Sequence, residues 1–417
     1  FSASQMTLDN VREESIDGGK RLVFEMKPYQ HVNPADGVSA TWKVSMVVEM
    51  KEKDHFLHKY LLISGADEAA RTTPIDYIEM ENMGVEGVAA NQRWSHPEGS
   101  GGVGGMSAYT MSLGQPFYID GLFFGSEFPQ AENEISNGFG HSRYYSGKSL
   151  SSIAKDRVFR TWPNVEGAAR SVSEVGVIRQ DFFSYIETIA RPTKVRMQYN
   201  SWYDWMMTIT EERINTSFKR MERGFTQHGL RPMDSYVVDD GWNNYNVSDT
   251  ERSGTTSNVS GFWEFNSKFP TGLQGAAQIA HRYGSDFGIW LGPRGGYNFN
   301  ASWGHFLESH GNGTYNTRSG DAVTGDSVYV SKLRDFFLTC QKYYGVNYWK
   351  LDGFSTVEPQ PSNNGRYITG GKNGNYYFTE HWERWYDVFR DLYAEASGRG
   401  SDLWLNLTCY VNPSPWI

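Results

Sequence analysis

Along residues 1–190 polar and apolar positions trade places at short range. The run Thr41-Trp42-Lys43-Val44-Ser45-Met46-Val47-Val48-Glu49-Met50 alternates over much of its length, the period of a strand with one face on a core and the other on water. The glycine cluster from Gly99 to Gly105 and the apolar piece Pro116-Phe117-Tyr118-Ile119-Asp120-Gly121-Leu122-Phe123-Phe124 continue a pattern of short strands between turn residues. Residues 1–190 therefore predict an antiparallel β-sandwich domain. No catalytic motif falls within it.

After Arg191-Pro192 the rhythm lengthens. Residues 195–199, 235–239, 287–291, 346–351 and 403–407 read as strands one to five. Amphipathic stretches at 211–228, 273–283, 329–344 and 378–396 separate them as helices. Strict βα alternation means a parallel sheet, doubly wound or closed as a (β/α)8 barrel. No G-x-G-x-x-G turn follows strand one, where a dinucleotide-binding sheet carries it. Polar and aromatic residues gather past the C-terminal ends of the strands, where barrels build their sites. The prediction is an α/β chain in which residues 191–417 supply the first five units of a (β/α)8 barrel. The loops at 243–262, 296–328 and 355–377 are long enough to be functional.

Composition narrows the class. Hydrophobic residues make up 39% and charged residues 21% of 417 positions, as in a globular protein. The net charge of −9 is spread without a basic block, which argues against nucleic acid or an anionic membrane surface as partner. No apolar run approaches the roughly 18 residues of a membrane span. The segment at Phe1 has no leader-like pattern, as a processed secreted chain would not; a secreted or periplasmic location is the expectation, with the cytoplasm as the alternative. Cys340 and Cys409 are the only cysteines, too few for a disulfide framework or a cysteine zinc site. Aromatic residues reach 15%; such rings fill β-rich cores and also stack on sugar faces. Asn-x-Ser/Thr sequons begin at Asn215, Asn246, Asn258, Asn300, Asn312 and Asn406, and matter only in a eukaryotic secretory host.

The chemistry sits at the strand ends. Lys350 and Asp352 are two apart and share one side of strand four. A neighbouring lysine keeps a half-buried aspartate ionised, as a covalent nucleophile requires; a structural ion pair would use the same residues. Asp239 and Asp240 repel each other unless ligand hydroxyls, a metal or basic groups share them.

Asp239-Asp240-Gly241-Trp242 after strand two and Lys350-Leu351-Asp352 after strand four resemble glycoside hydrolase clan D, the α-galactosidases and α-N-acetylgalactosaminidases of families 27 and 36. The resemblance covers about residues 195–410, and the sandwich-then-barrel order is similar to family 36. It implies that Asp352 is the nucleophile, that Lys350 contacts sugar hydroxyls, and that Asp239 and Asp240 grip the O4/O6 region. Cys409 matches a family cysteine near the sugar 2-position, although Tyr410-Val411-Asn412-Pro413 departs from the family pattern. Trp202, Trp205 and Trp242 are expected to wall the subsite for the cleaved sugar. The family's acid/base follows strand six, so it is expected outside residues 1–417, on a C-terminal continuation or second chain that closes the barrel. Trp416 and Ile417 would otherwise add exposed apolar surface.

The expected function is a retaining α-glycoside hydrolase acting on terminal α-galactose-like sugars of an oligosaccharide or glycoconjugate, with no cofactor or metal. A transglycosylase relative would share its residues. Two other classes use the same residues: an enolase-type barrel holding Mg²⁺ on Asp239, Asp240 and Asp352, and a non-catalytic carbohydrate-binding barrel.

Overall fold

The computed structural model describes residues 1–85, 90–91, 116–191, 194–247, 256–297, 301–317, 319–354, 375–408 and 415–416. The chain forms two compact units: Phe1–Pro192 with Gly370–Thr379 and Asn412–Ile417, and Thr193–Thr369 with Glu380–Val411.

The first unit holds two antiparallel sheets. One has ten strands. Its main path runs Leu8–Ile16, Gly19–Met26, Ser39–Lys51, Phe56–Gly65, Asn164–Ala168, Leu122–Ser126, Phe117–Ile119, Ala90–Asn91. The other has Glu132–Ser136, Phe139–Ser149 and Pro74–Gly84. The alternating run at 41–50 is the heart of the strand Ser39–Lys51, and Val47 is 1% exposed. The apolar piece at 116–124 is a hairpin: Asp120 and Gly121 take φ 48° and 82°, the left-handed pair of a two-residue turn.

A helix over Val175–Ile189 interrupts the β-rich expectation. Ile178, Phe182 and Tyr185 lie on one helical face and pack on Phe56, Tyr118, Phe123, Val165 and Trp416. Trp416 is thus a core residue, 8% exposed, which corrects the expectation that it adds open apolar surface. Polar groups also bridge the two sheets. Lys59 Nζ lies 2.7 Å from Glu81 and 2.6 Å from Glu166. Burial pushes the Glu81 carboxyl up to about 7, with Lys59 pulling it down and Glu166 pushing it up.

The second unit is a parallel sheet in chain order. Strand one is Gln198–Asn200, two Ser235–Val238, three Asp286–Leu291, four Tyr348–Asp352 and five Trp404–Thr408. Each pairs in parallel with the next, and the sheet curls into half of a barrel wall. A doubly wound sheet would reverse its order at a switch point; this one does not. Helices Glu211–Gln227, Gln274–Arg282, Ser327–Tyr344 and Asn375–Gly398 lie between strands in the chain. In the first, Ile214, Phe218 and Glu222 form a buried stripe, and Glu222 accepts the Tyr236 hydroxyl of strand two at 3.3 Å. No helix among the described residues is long and apolar enough to cross a membrane.

Two of the long loops are organised. A helix over Ala301–Ser309 falls within 296–328; Trp303 and Leu307, one turn apart, are both 0% exposed. Buried asparagines tie the loop after strand two. Asn258 Nδ2 donates to the carbonyls of Asn244 and Phe262, both at 2.9 Å. Asn312 Nδ2 donates to those of Ser260 and Gly261, at 3.0 and 2.8 Å. Asn246, Asn258 and Asn312 are all buried, so three of the six sequons are interior residues. Asn406 donates to the Tyr348 hydroxyl from within strand five. The cluster Gly99–Gly105, Asn300 and most of 355–377 lie outside the described residues.

Candidate active site

Register brings the charged residues together. Trp290 pairs with Lys350 across strands three and four, and Lys350 with Asn406 across four and five. Lys350 and Asp352, two apart, are both half-buried. Lys350 Nζ donates to Asp239 Oδ2 at 2.8 Å. Trp290 Nε1 donates to Asp352 Oδ2 at 3.1 Å. The chain turns sharply after strand two, where Asp239 N–H is taken by Ser201 Oγ at 2.8 Å. Asp240 accepts from Gly241 N–H at 2.7 Å and from Tyr297 N–H at 3.0 Å.

The backbone of the strand-three loop presses against this cluster. A Cβ on Gly296 would stand 2.0 Å from Tyr245 Oη and 2.7 Å from Asp240 Oδ2. Only a residue without a side chain fits there.

Burial and charge set the protonation states. Burial pushes the Asp240 carboxyl up to about 7; the Tyr297 and Gly241 N–H groups pull it down, and Asp239 and Asp352 push it up. Burial also raises Asp352, against the pull of the Trp290 N–H and the Lys350 charge. For Lys350 burial works against the ammonium, but Asp239 outweighs it and holds the pKa above the ordinary lysine value. Lys350 and Asp352 are the two members of the cluster that keep surface open to solvent.

The residues singled out from sequence divide. Asp239, Lys350 and Asp352 form one cluster, with Asp239 keeping 2% of its side-chain surface. Asp240 is enclosed among the described residues and holds the backbone N–H groups of Gly241 and Tyr297. Trp202 stacks on Tyr297, ring centroids 4.9 Å apart at 22°. Trp205 turns away from the cluster: its Nε1 donates to Ser217 at 2.9 Å, and Arg213 lies over its ring. Trp242 is 0% exposed, donates to the Trp290 carbonyl at 3.0 Å and stacks on Phe336. Among the described residues both pack on protein neighbours. Cys409 lies outside the described residues, and Cys340 is a buried free thiol. Sequence reading gave Trp290, Gly296 and Tyr297 at the strand-three end no role, because the only charge in that stretch, Arg294, has no acidic neighbour in sequence to mark a site.

The donor set does not suit a metal. The ammonium of Lys350 occupies Asp239, backbone N–H groups occupy Asp240, and an indole N–H occupies Asp352. Donors aimed at each carboxylate compete with a cation for the same lone pairs.

No family model and no curated protein matches the chain. Among solved structures it is similar to the galactosidase domain of the α-galactosidase–sucrose kinase AgaSK, at TM-score 0.51 and 14% identity over 95% of this chain and 55% of that one. It is also similar to the GH36 α-galactosidase AgaA from Geobacillus stearothermophilus, at TM-score 0.49 and 13% identity over 95% of this chain and 56% of that one. The α-galactosidase from Lactobacillus brevis gives TM-score 0.47 and 12% identity, over 94% and 54%. The chain spans a little over half the length of these proteins. The likeness to AgaSK places the chain on the fold of an α-galactosidase domain, in keeping with the resemblance drawn from the strand-end motifs.

Proposed function

We propose that this chain carries the nucleophile half of a retaining α-glycoside hydrolase acting on terminal α-galactose-like sugars. The observation that carries the reading is the strand-four pair: a half-buried carboxylate, Asp352, held by an indole N–H beside a lysine that is itself anchored on Asp239. In the first step the Asp352 carboxylate attacks the anomeric carbon as the bond to the leaving oxygen breaks. A protonated acid outside residues 1–417 gives that oxygen its proton. In the second step water, deprotonated by the same residue, displaces Asp352. Lys350 binds sugar hydroxyls, Asp239 fixes Lys350, and Trp202 walls the sugar. In this reading a β-sandwich over residues 1–190 precedes the barrel. Retention requires the two carboxyls to stand about 5–5.5 Å apart, whereas a separation of about 6.5–9.5 Å would mark inversion.

The donor set described above weighs against the magnesium-binding alternative. The test is trapping with a 2-fluoro galactosyl fluoride on the natural full-length protein, followed by peptide mass mapping. The label is expected on Asp352, and Asp352→Asn is expected to abolish turnover with its melting curve unchanged. Label on another residue removes Asp352 from its role. Sugar binding without any label or turnover favours the carbohydrate-binding reading.

A further inference from the structure

A second cation reaches Asp352 from a turn that is held on several sides. After strand three the chain folds through Gly292–Gly295, closed by Gly295 N–H on the Gly292 carbonyl at 2.8 Å, with Pro293 setting the first corner. The Pro293 carbonyl accepts the Tyr329 hydroxyl at 2.8 Å, and the Arg294 carbonyl accepts Ala322 N–H at 2.9 Å. Arg294 N–H in turn donates to the carbonyl of Gly353, the residue after Asp352, at 3.0 Å. The approach is close. A Cβ on Gly292 would stand 3.1 Å from the Asp352 carbonyl oxygen. A Cβ on Gly353, whose φ is 88°, would stand 3.0 Å from Arg294 Nε and 3.3 Å from its Cγ and Cδ. The arginine side chain therefore lies along a backbone that only glycine leaves open. From strand five, the Thr408 carbonyl takes Gly353 N–H at 3.3 Å.

Among the described residues, the charges about Asp352 are Lys350 on its own strand, Asp239 and Asp240 after strand two, and Arg294 from this turn. Strand five sets the uncharged Thr408 beside it in register. Burial is the largest influence on the Asp352 carboxyl and raises it; the Trp290 N–H, Lys350 and Arg294 draw it down. Lys350 also faces Asp239 at 2.8 Å, so its charge is shared between two carboxylates.

We propose that Arg294 is the positioning residue of the nucleophile: its amide and side chain hold the Asp352–Gly353 peptide, and its guanidinium brings a second positive charge to the carboxylate. The inference rests on the α-glycosidase reading and adds to it a residue from the strand-three end. A carboxylate aimed through anchored backbone needs no reorganisation at the moment of attack. An opposite charge nearby favours the ionised form, which is the attacking one.

The test is the pH dependence of trapping in the natural full-length protein. With a 2-fluoro galactosyl fluoride, the Asp352 carboxylate forms the bond to the anomeric carbon and fluoride leaves with the electron pair, needing no proton. The acid limb of the trapping rate therefore reports the nucleophile alone. Arg294→Met keeps the stem and removes the charge, and is expected to move that limb higher by about half a pH unit or more. Arg294→Lys keeps the charge and is expected to hold the limb near the parent's. If Arg294→Met melts early, Arg294→Gln reads the same loss of charge. A limb unmoved in the neutral variants, with the label still on Asp352, overturns the role of Arg294 and leaves the glycosidase reading standing. So does a limb that moves as far in Arg294→Lys, which would make the effect one of packing. A parent that takes no label on Asp352 overturns both.

Discussion

Lys350 acts on two carboxylates at once, and removing it separates their roles. Its side chain is 13% exposed and that of Asp239 2%, so Lys350→Met leaves a buried charge without its partner. The expected loss is about 3–5 kcal/mol in denaturant unfolding, and adding Asp239→Asn should recover part of it. The same variant should shift the pH profile. In the proposed mechanism Asp352 must be ionised to attack, and its pKa is already above the ordinary aspartate value. Activity is therefore lost on acidification at a higher pH than for a free aspartate. Without the Lys350 charge, which draws that pKa down, the acid limb of kcat/KM should move higher still; a limb that stayed in place would separate Lys350 from the nucleophile. Gly296 gives a second local test. With Tyr245 Oη 2.0 Å from any added Cβ, Gly296→Ala must displace the Tyr245 and Asp240 side chains or the loop after strand three. It should cost about 1–3 kcal/mol in thermal or denaturant melts, with activity falling as Tyr297 leaves Asp240.

At the scale of elements, the helix Ser327–Tyr344 shows how the alternation is punctuated. Asp326 caps it, accepting from the N–H groups of Val328 and Tyr329 at 2.9 Å each, and Gly345 ends it at φ 66°. Asp326→Ala should cost about 1–2 kcal/mol by denaturant titration. Such punctuation made the five strands and four long helices of residues 195–408 legible, with strand ends displaced by only a few residues. The helix Val175–Ile189 was less legible because Glu174 makes no side-chain cap and its apolar stripe follows a long β-rich stretch. The helix Ala301–Ser309 is broken in sequence by Gly304, where a Cβ would stand 2.6 Å from the Tyr315 ring; the glycine serves packing and hides the period. In the site, Lys350 and Asp352 could be read because period two joins neighbours on a strand. Trp290 could not, since it meets Asp352 across 62 positions of sequence. Trp205 and Trp242 show the limit of such reading, because a tryptophan near a strand end has the same letter whether it stacks on a ligand or, as Trp242 does here, on Phe336.

For the molecule as a whole, buried carboxyls give stability a pH dependence. Glu81 is raised to about 7 from an ordinary 4.5, so between those values the folded chain holds more protons than the unfolded one. Stability then falls as pH rises through that window and levels off above it. Asp240, also raised to about 7, acts in the same direction. Thermal midpoints should be higher at about pH 5 than at about pH 8, and Glu81→Gln should narrow the difference. A gap as wide in the variant as in the parent would show that Glu81 titrates as it does in water.

The interior asparagines have a consequence for making the protein. Transfer of a glycan to Asn258 or Asn312 would consume an amide hydrogen that each residue gives to a backbone carbonyl, and would place a branched sugar where no surface exists. A cell that decorates nascent chains before they fold would commit those molecules to an open strand-two loop. Folded protein recovered from such a cell should carry no sugar at either position, and the bacterial cytoplasm, which attaches none, is the better host.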